Sequence, residues 1–274
     1  MLALRRTLIA PLLFLCAFSY PVVLNAQDNA AIQPIERKDA NSVLAHQQLL
    51  EKVRQGKIDL YFVGDSITRR WGATDYPELL KHWNQCFYGW NAANFGWGGD
   101  TTQNILWRLQ HGELDGISPK VVVLQAGTNN LPWRGPAREG LVEEVVQSLQ
   151  AIISTVHQKT PHSTIILTSL FPRDQNPALL PMIEKINQRL ANLSNKTTIR
   201  FLNINDDLVD SEGKLLPGMS NDGLHLTVNS YQVWANALSP LLHELLGPPA
   251  SDDFAPSPTG DPSARTTTVK LPPN

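Results

Sequence analysis

Val121-Val122-Val123-Leu124 is apolar at every position, with no polar residue to turn toward water on alternate sides. A strand of that composition is stable only when both of its faces are covered. Comparable runs fall at 60–63, 92–95, 165–167 and 199–202, and helical patterns lie between and after them, clearest at 102–110, 138–157, 178–193 and 228–245. Within 138–157, Leu141, Val145, Val146, Leu149, Ile152, Ile153 and Val156 recur at helical spacing. Strands alternating with helices predict an α/β fold with a parallel, doubly covered sheet. Right-handed crossovers then bring the strand C-terminal ends to one edge, where open α/β sheets carry their ligands.

With 274 residues and 42% hydrophobic content, the chain can bury one good core but not two large domains. Its net charge of −2, with no basic run longer than a pair such as Arg69-Arg70, argues against nucleic acid as a partner. Residues 1–26 read as a secretory signal: Arg5-Arg6, an apolar stretch from Leu8 to Phe18, and a cleavage site at Leu24-Asn25-Ala26. A secreted or periplasmic location follows, with no stable membrane insertion after cleavage. The alternative, an uncleaved anchor, is disfavoured by Pro11, Ser19 and Pro21. Leu15 before Cys16 also lacks the small residue of a lipoprotein site.

Loss of Cys16 with the signal leaves Cys86 alone, so no intrachain disulfide is expected. Cys86 is a poor candidate for a catalytic thiol, because Gln85 and Phe87 offer no base. Residues 27–41 read as a loose polar lead-in and 42–246 as the folded domain. Residues 247–274, rich in Pro, Ser, Thr and Asp, read as a disordered tail. Nothing in the sequence sets an oligomeric state.

Three segments leave the predicted strand ends in unusual form: Gly64-Asp65-Ser66-Ile67-Thr68, Asn94-Phe95-Gly96-Trp97-Gly98-Gly99-Asp100 and Gly127-Thr128-Asn129-Asn130. A fourth, Asn221-Asp222-Gly223-Leu224-His225-Leu226-Thr227, precedes the last helix. Together they meet the requirements of acyl transfer. Serine needs a base to become a nucleophile, and His225 can serve at neutral pH. The imidazole needs an acceptor on its other nitrogen, a role for Asp222. The oxyanion needs donors, which the Gly99 N–H, the Asn129 amide and the Ser66 N–H can supply.

These blocks carry a resemblance. Gly64-Asp65-Ser66-Ile67, Gly99, Gly127-x-Asn129 and Asp222-x-x-His225 match, in order, the four sequence blocks of the SGNH (GDSL-like) hydrolase superfamily. The run from Asn94 through Gln103-Asn104 to Leu106-Trp107-Arg108-Leu109 further resembles the catalytic α-subunits of intracellular platelet-activating-factor acetylhydrolases. The resemblance spans about 59–246. It implies a flavodoxin-like three-layer α/β/α sandwich with a five-stranded parallel sheet, and ester hydrolysis through a Ser-Asp-His triad. Carried over, the catalytic roles fall on Ser66, Asp222 and His225, and the oxyanion hole on Ser66, Gly99 and Asn129. The signal and the Pro-rich tail depart from the intracellular enzymes. Trp97 and the insertion Leu131-Pro132-Trp133-Arg134 are expected to reshape the pocket.

Each residue has a structural alternative. Ser66 could cap the helix after its strand. Asn129 could be a turn residue, a job for which Asn130 is equally suited. His225 could be a surface histidine, and Asp65 is expected to brace its loop. Metal chemistry is poorly supported, with no His-Glu-x-x-His and no Cys cluster, and no cofactor is expected. The Gly-x-Ser-x-Gly elbow is absent, since Thr68 takes its last position.

The resulting expectation is an exported serine esterase acting on a small-molecule or carbohydrate acyl ester, with acetyl the favoured acyl group. One rival is a lipid-directed esterase or a thioesterase. Others are a non-catalytic binding module on the same fold and a receiver-like phosphate-binding domain. The last leaves Asp222-x-x-His225 unexplained.

Overall fold

In the computed structural model, which describes residues 30–265, the apolar runs form five parallel strands. These are β1 (Leu60–Gly64), β2 (Ala92–Gly96), β3 (Val121–Gln125), β4 (Thr164–Thr168) and β5 (Ile199–Leu202), in the order β2-β1-β3-β4-β5. Leu60 of β1 is in register with Ala92 on one side and Val121 on the other. The strand order reverses at β1. The C-terminal ends of β1 and β3 therefore flank the switch point, where an open α/β sheet leaves a crevice.

Seven α-helices cover the sheet among the described residues: α1 (Ala40–Val53), α2 (Ser66–Gly72), α3 (Pro77–Phe87), α4 (Thr102–Arg108), α5 (Leu141–Lys159), α6 (Leu180–Ala191) and α7 (Val228–Leu246). Successive strand residues point to opposite layers. Tyr61, Val63, Val122, Leu124, Ile165 and Leu167 join the core beneath α1, α4, α5 and α6. Leu60, Phe62, Val121, Val123 and Ile166 join the core beneath α2, α3 and α7. The result is the expected three-layer α/β/α sandwich.

The second core is aromatic. Trp71 of α2 stacks on Tyr231 of α7 at 4.7 Å and lies 5.1 Å from Trp234, while the Tyr231 hydroxyl donates to the Ile67 carbonyl at 2.6 Å. Burying a large apolar side chain contributes about 1.5–3 kcal/mol. This cluster fixes α2 against α7, the helices that begin beside Ser66 and His225. Gly64 makes the turn into α2 feasible. A Cβ there would sit 2.1 Å from the Gln125 carbonyl oxygen and 2.2 Å from Thr68 Oγ1.

Two expectations change at the ends of the domain. Residues 30–41 are tied down: the Ile35 N–H donates to the Gln103 carbonyl at 3.1 Å, and α1 already begins at Ala40 under an Asp39 cap. The tail is not disordered over 247–265. It runs beside β2, where the Ala250 N–H donates to Gly89 O at 2.9 Å and the Lys57 N–H to Phe254 O at 2.8 Å. The Asp253 carboxylate accepts from the Gly89 and Asn91 amides at 2.6 and 3.3 Å. The segment is held through its backbone, so it needs no apolar periodicity. Residues 1–29 and 266–274, and with them the expected signal and Cys16, lie outside the described residues.

Candidate active site

Ser66 is the first residue of α2, directly beyond β1. The capping job considered for it belongs to its neighbour: the buried Asp65 carboxylate accepts the Ile67 N–H at 2.9 Å. The Ser66 hydroxyl instead meets His225 Nε2 at 2.9 Å. Asp65 is the brace that the sequence suggested. Burial pushes its carboxyl up to about 7, against the lowering effect of the Ile67 amide.

His225 is positioned by its own loop. Leu224 and Leu226 on either side are buried in the aromatic core, so the residue between them is turned outward, and an antiparallel bridge between Ser220 and Leu226 closes the loop. The Asp174 N–H donates to Gly223 O at 2.8 Å, and Gln175 Nε2 to Asp222 O at 3.1 Å. His225 Nδ1 lies 2.6 Å from Asp222 Oδ2. A carboxylate only accepts, so Nδ1 carries the proton and the lone pair of Nε2 is left for the Ser66 hydroxyl proton. Asp222 Oδ1 also accepts the backbone amides of His225 and Leu224 at 2.8 and 3.0 Å.

Electrostatics divide the pair. Burial opposes ionisation of Asp222, but the His225 amide, the His225 ring and the Leu224 amide together hold its carboxyl down to about 2. His225 moves the other way from simple pairing. Burial lowers its pKa, the hydrogen bond to Asp222 raises it, and the nearby Arg70 charge lowers it again, for a net shift below the ordinary imidazole value. The histidine is therefore neutral near pH 7, as a general base must be.

The oxyanion candidates lie on the neighbouring strand ends. Gly99 follows β2 with φ +78°, a left-handed conformation that favours glycine. Asn129 follows β3, and its Nδ2 donates to the Asp100 carbonyl at 2.9 Å. An amide nitrogen carries two hydrogens, so one is left for a substrate oxygen. The Ser66 N–H is the first amide of α2, beyond the reach of any intrahelical carbonyl. Asn130 is occupied otherwise. Its Oδ1 accepts the Thr102 N–H at 3.0 Å and its Nδ2 donates to Gln103 Oε1 at 2.8 Å, holding the start of α4.

Several side chains around the site escaped the sequence reading. Arg173, fully buried, donates to the Thr128 carbonyl at 3.2 Å and to the Pro132 carbonyl, bracing the loop that carries Asn129. Arg37 donates to the Gly98 carbonyl at 2.6 Å. Arg70, one helical turn beyond Ser66, lies 3.7 Å from Asp222 Oδ2. Only Arg70 had a signal, its i+4 spacing from Ser66.

Trp97 is a correction. It is 7% exposed and donates from its indole to Ser42 Oγ at 2.9 Å, so it packs under α1 and is not presented to a substrate. Trp133, at 55% exposed, lies on the surface. Cys86 does have an imidazole nearby, His82 on the preceding turn at 3.7 Å, but burial pushes its thiol up to about 11. Among the described residues no group of three His, Cys, Asp or Glu side chains is placed to hold a metal ion.

Comparison with known proteins places the chain in a family. Residues 62–233 match the model of the GDSL-like Lipase/Acylhydrolase family. The chain is 34% identical over 203 residues to the platelet-activating factor acetylhydrolase IB subunit alpha2 of Rattus norvegicus, covering 73% of this chain and 83% of the relative. It is 30% identical over 249 residues to the corresponding subunit alpha1 of Pongo abelii, covering 88% of this chain and all of the relative. A GDSL-like lipase of Bacteroides thetaiotaomicron VPI-5482 shares the fold at TM-score 0.58 and 19% identity, over 74% of this chain and 98% of that one.

Proposed function

The chain belongs to the GDSL-like lipase/acylhydrolase family and is a hydrolase of carboxylic ester bonds, and from that premise we propose that it removes short acyl groups, acetyl foremost, through Ser66, His225 and Asp222. The observation that carries the reading is the unbroken chain Ser66 Oγ–His225–Asp222, with links of 2.9 and 2.6 Å at the sheet switch point. His225 Nε2 takes the Ser66 proton as Oγ attacks the ester carbonyl. The oxyanion is held by the Gly99 and Ser66 amides and the Asn129 side chain, each donor being worth about 3–4 kcal/mol. The imidazolium then returns its proton to the departing alcohol, leaving an acyl-serine that water, activated by the same histidine, hydrolyses.

The test is direct. Ser66→Ala should lower kcat for p-nitrophenyl acetate by about four to six orders of magnitude and abolish labelling by a fluorophosphonate, with an unchanged melting temperature. A folded Ser66→Ala protein within about tenfold of wild type in kcat removes Ser66 from the chemistry. Absence of labelling and turnover in the wild type points to a binding module.

For the alcohol half we favour a polar, sugar-like group. Beside the Asp222–His225 loop lies an open groove of about 580 Å³, lined by Arg70, Tyr76, Glu78, Asn221, Thr227 and Asn229 among others. The exposed Trp133, four residues beyond Asn129 in the chain, offers a flat surface. The carbohydrate reading rests on these features and on the expected export. The relatives' names favour a second reading, an acetylated phospholipid. Acetylated sugars, acetylated xylan and phospholipids, assayed beside p-nitrophenyl esters of rising chain length, separate the two. A lipid-directed or thioester-directed site should gain with chain length. Export rests on the pattern of residues 1–26 alone; N-terminal sequencing of the protein recovered outside the cytoplasm tests it.

A further inference from the structure

We infer that Arg37 is a positioning residue for the oxyanion donor at Gly99: by holding the Gly98 carbonyl, it orients and polarises the peptide whose N–H faces the substrate. The inference rests on the proposed acyl-transfer reading and extends it to a residue outside the matched segment 62–233.

The lead-in delivers Arg37 from a fixed base. The Ile35 N–H donates to Gln103 O at 3.1 Å, Asn104 Nδ2 returns to Ile35 O at 2.8 Å, and the guanidinium Nε donates to Asp39 at 3.1 Å. From there Nη1 reaches the Gly98 carbonyl oxygen at 2.6 Å and stands 3.4 Å from Asp100 Oδ1. A Cβ placed on Gly99 would meet the same Nη1 at 3.3 Å, so the guanidinium lies directly against the 97–100 strap that joins β2 to α4.

The carbonyl of Gly98 and the N–H of Gly99 belong to one planar trans peptide and point in opposite directions. Pinning the oxygen on the Arg37 side therefore turns the N–H away from Arg37. Ser66 lies beside this strap, its Cβ 3.9 Å from where a Gly98 Cβ would be. Without the pin, the peptide sits between two glycines, the residues least able to resist its rotation. The contact also has an electronic effect. A hydrogen bond from a cation is roughly twice as strong as a neutral one, and linked hydrogen bonds polarise one another. An amide whose oxygen is held by a guanidinium thus presents a more positive N–H.

The rest of the strap is held independently. Asn129 binds the Asp100 carbonyl at 2.9 Å, and the buried Arg108 takes the Asp100 carboxylate at 2.7 Å. Arg37 supplies the remaining point, on the peptide that matters. If it served only to tether the lead-in, its loss would lower stability without singling out the transition state.

The test uses the full chain with p-nitrophenyl acetate, and a trifluoromethyl ketone as mimic of the tetrahedral intermediate. Arg37→Met should lower kcat about tenfold, less than loss of an oxyanion donor itself, with KM unchanged and the inhibitor weakened in the same proportion. Arg37→Lys, which keeps a cation able to reach the carbonyl, should recover most of both. A folded Arg37→Met protein with wild-type kcat and inhibitor affinity overturns the inference, as does a folded Arg37→Lys with no recovery. If Arg37→Met does not fold, Arg37→Gln is judged by the same criterion. Asn129→Ala, measured alongside, separates the two levels. If it too leaves kcat intact, the oxyanion assignment fails; if it alone lowers kcat, only the role of Arg37 fails.

Discussion

The Arg70 guanidinium lies 3.7 Å from Asp222 Oδ2, the oxygen that also accepts the hydrogen bond from His225 Nδ1 at 2.6 Å. A cation placed there acts on both members of the pair. It favours the ionised carboxylate and disfavours the imidazolium, so the histidine keeps its lone pair while its partner keeps its charge.

The acidic limb of kcat/KM reports this balance. A histidine acting as the proposed base works only when neutral, so the rate should fall as pH drops through the His225 pKa, which lies below the ordinary value of about 6.5. Arg70→Gln removes a charge that lowers that pKa. The pKa then rises and the acidic limb shifts to higher pH. A profile that stays put or moves to lower pH contradicts the assignment of His225 as base.

Asp222→Asn tests the other member. Hydrogen bonds from the His225 and Leu224 amides and from the ring outweigh the cost of burial and hold this carboxyl near 2, so it is ionised at every working pH. The amide isostere has no charge, and it can donate to Nδ1, placing the imidazole proton on Nε2, the wrong nitrogen. In the serine proteases that change costs about 10⁴ in kcat. A loss on that order with little change in KM is expected here; a variant retaining half of wild-type kcat would falsify the role.

Much of this was legible in the sequence, for identifiable reasons. Strands such as Val121–Gln125 were readable because burial on both faces leaves an unbroken apolar run. Ser66 stood out because it follows a strand end and His225 because an acidic residue lies three positions before it, and the two side chains do meet at 2.9 Å. Helix α2 was expected after its strand but its extent was not legible, since Ile67 and Trp71 are the apolar residues holding it and Arg69-Arg70 separate them. The order of the 247–265 tail was not legible because Asp253 and backbone groups hold it, and such contacts leave no mark on composition. Trp97 was misplaced for a related reason: its partner Ser42 comes from a helix the sequence did not reveal.

Asp65 carries a stability signature. Its folded pKa of about 7 lies above the unfolded value of about 3.9, so the folded state binds more protons between these limits. Stability is then fullest below about 4 and declines as pH rises toward 7. Asp65→Asn can still accept the Ile67 N–H and pays no ionisation cost. Its melting temperature should gain on wild type between pH 4 and 7 and run parallel above. A constant difference across that range disproves the buried titration.

Chelation should leave turnover unchanged, because each proposed step moves a proton between side chains or places charge on amides. Activity lost on dialysis against EDTA and restored by one particular metal ion would overturn that chemistry.

Asn129 and Asn130 are adjacent, and replacing each by alanine should give opposite profiles. The Asn129 amide keeps one hydrogen beyond its bond to Asp100 O, which we assign to the oxyanion. Its loss should lower kcat about 10²–10³-fold while KM barely moves, and the melting temperature should fall only by the net worth of one hydrogen bond, about 1 kcal/mol. Asn130 spends its side chain on Thr102 and Gln103 at the start of α4. Its loss leaves a helix-terminal amide without its acceptor, costing about 1–2 kcal/mol of stability. The effect on kcat should be several-fold at most, through the strap that leads into α4. Kinetics and thermal melts on both variants decide the matter. A large kcat loss in Asn130→Ala with Asn129→Ala near wild type would transfer the oxyanion role to Asn130.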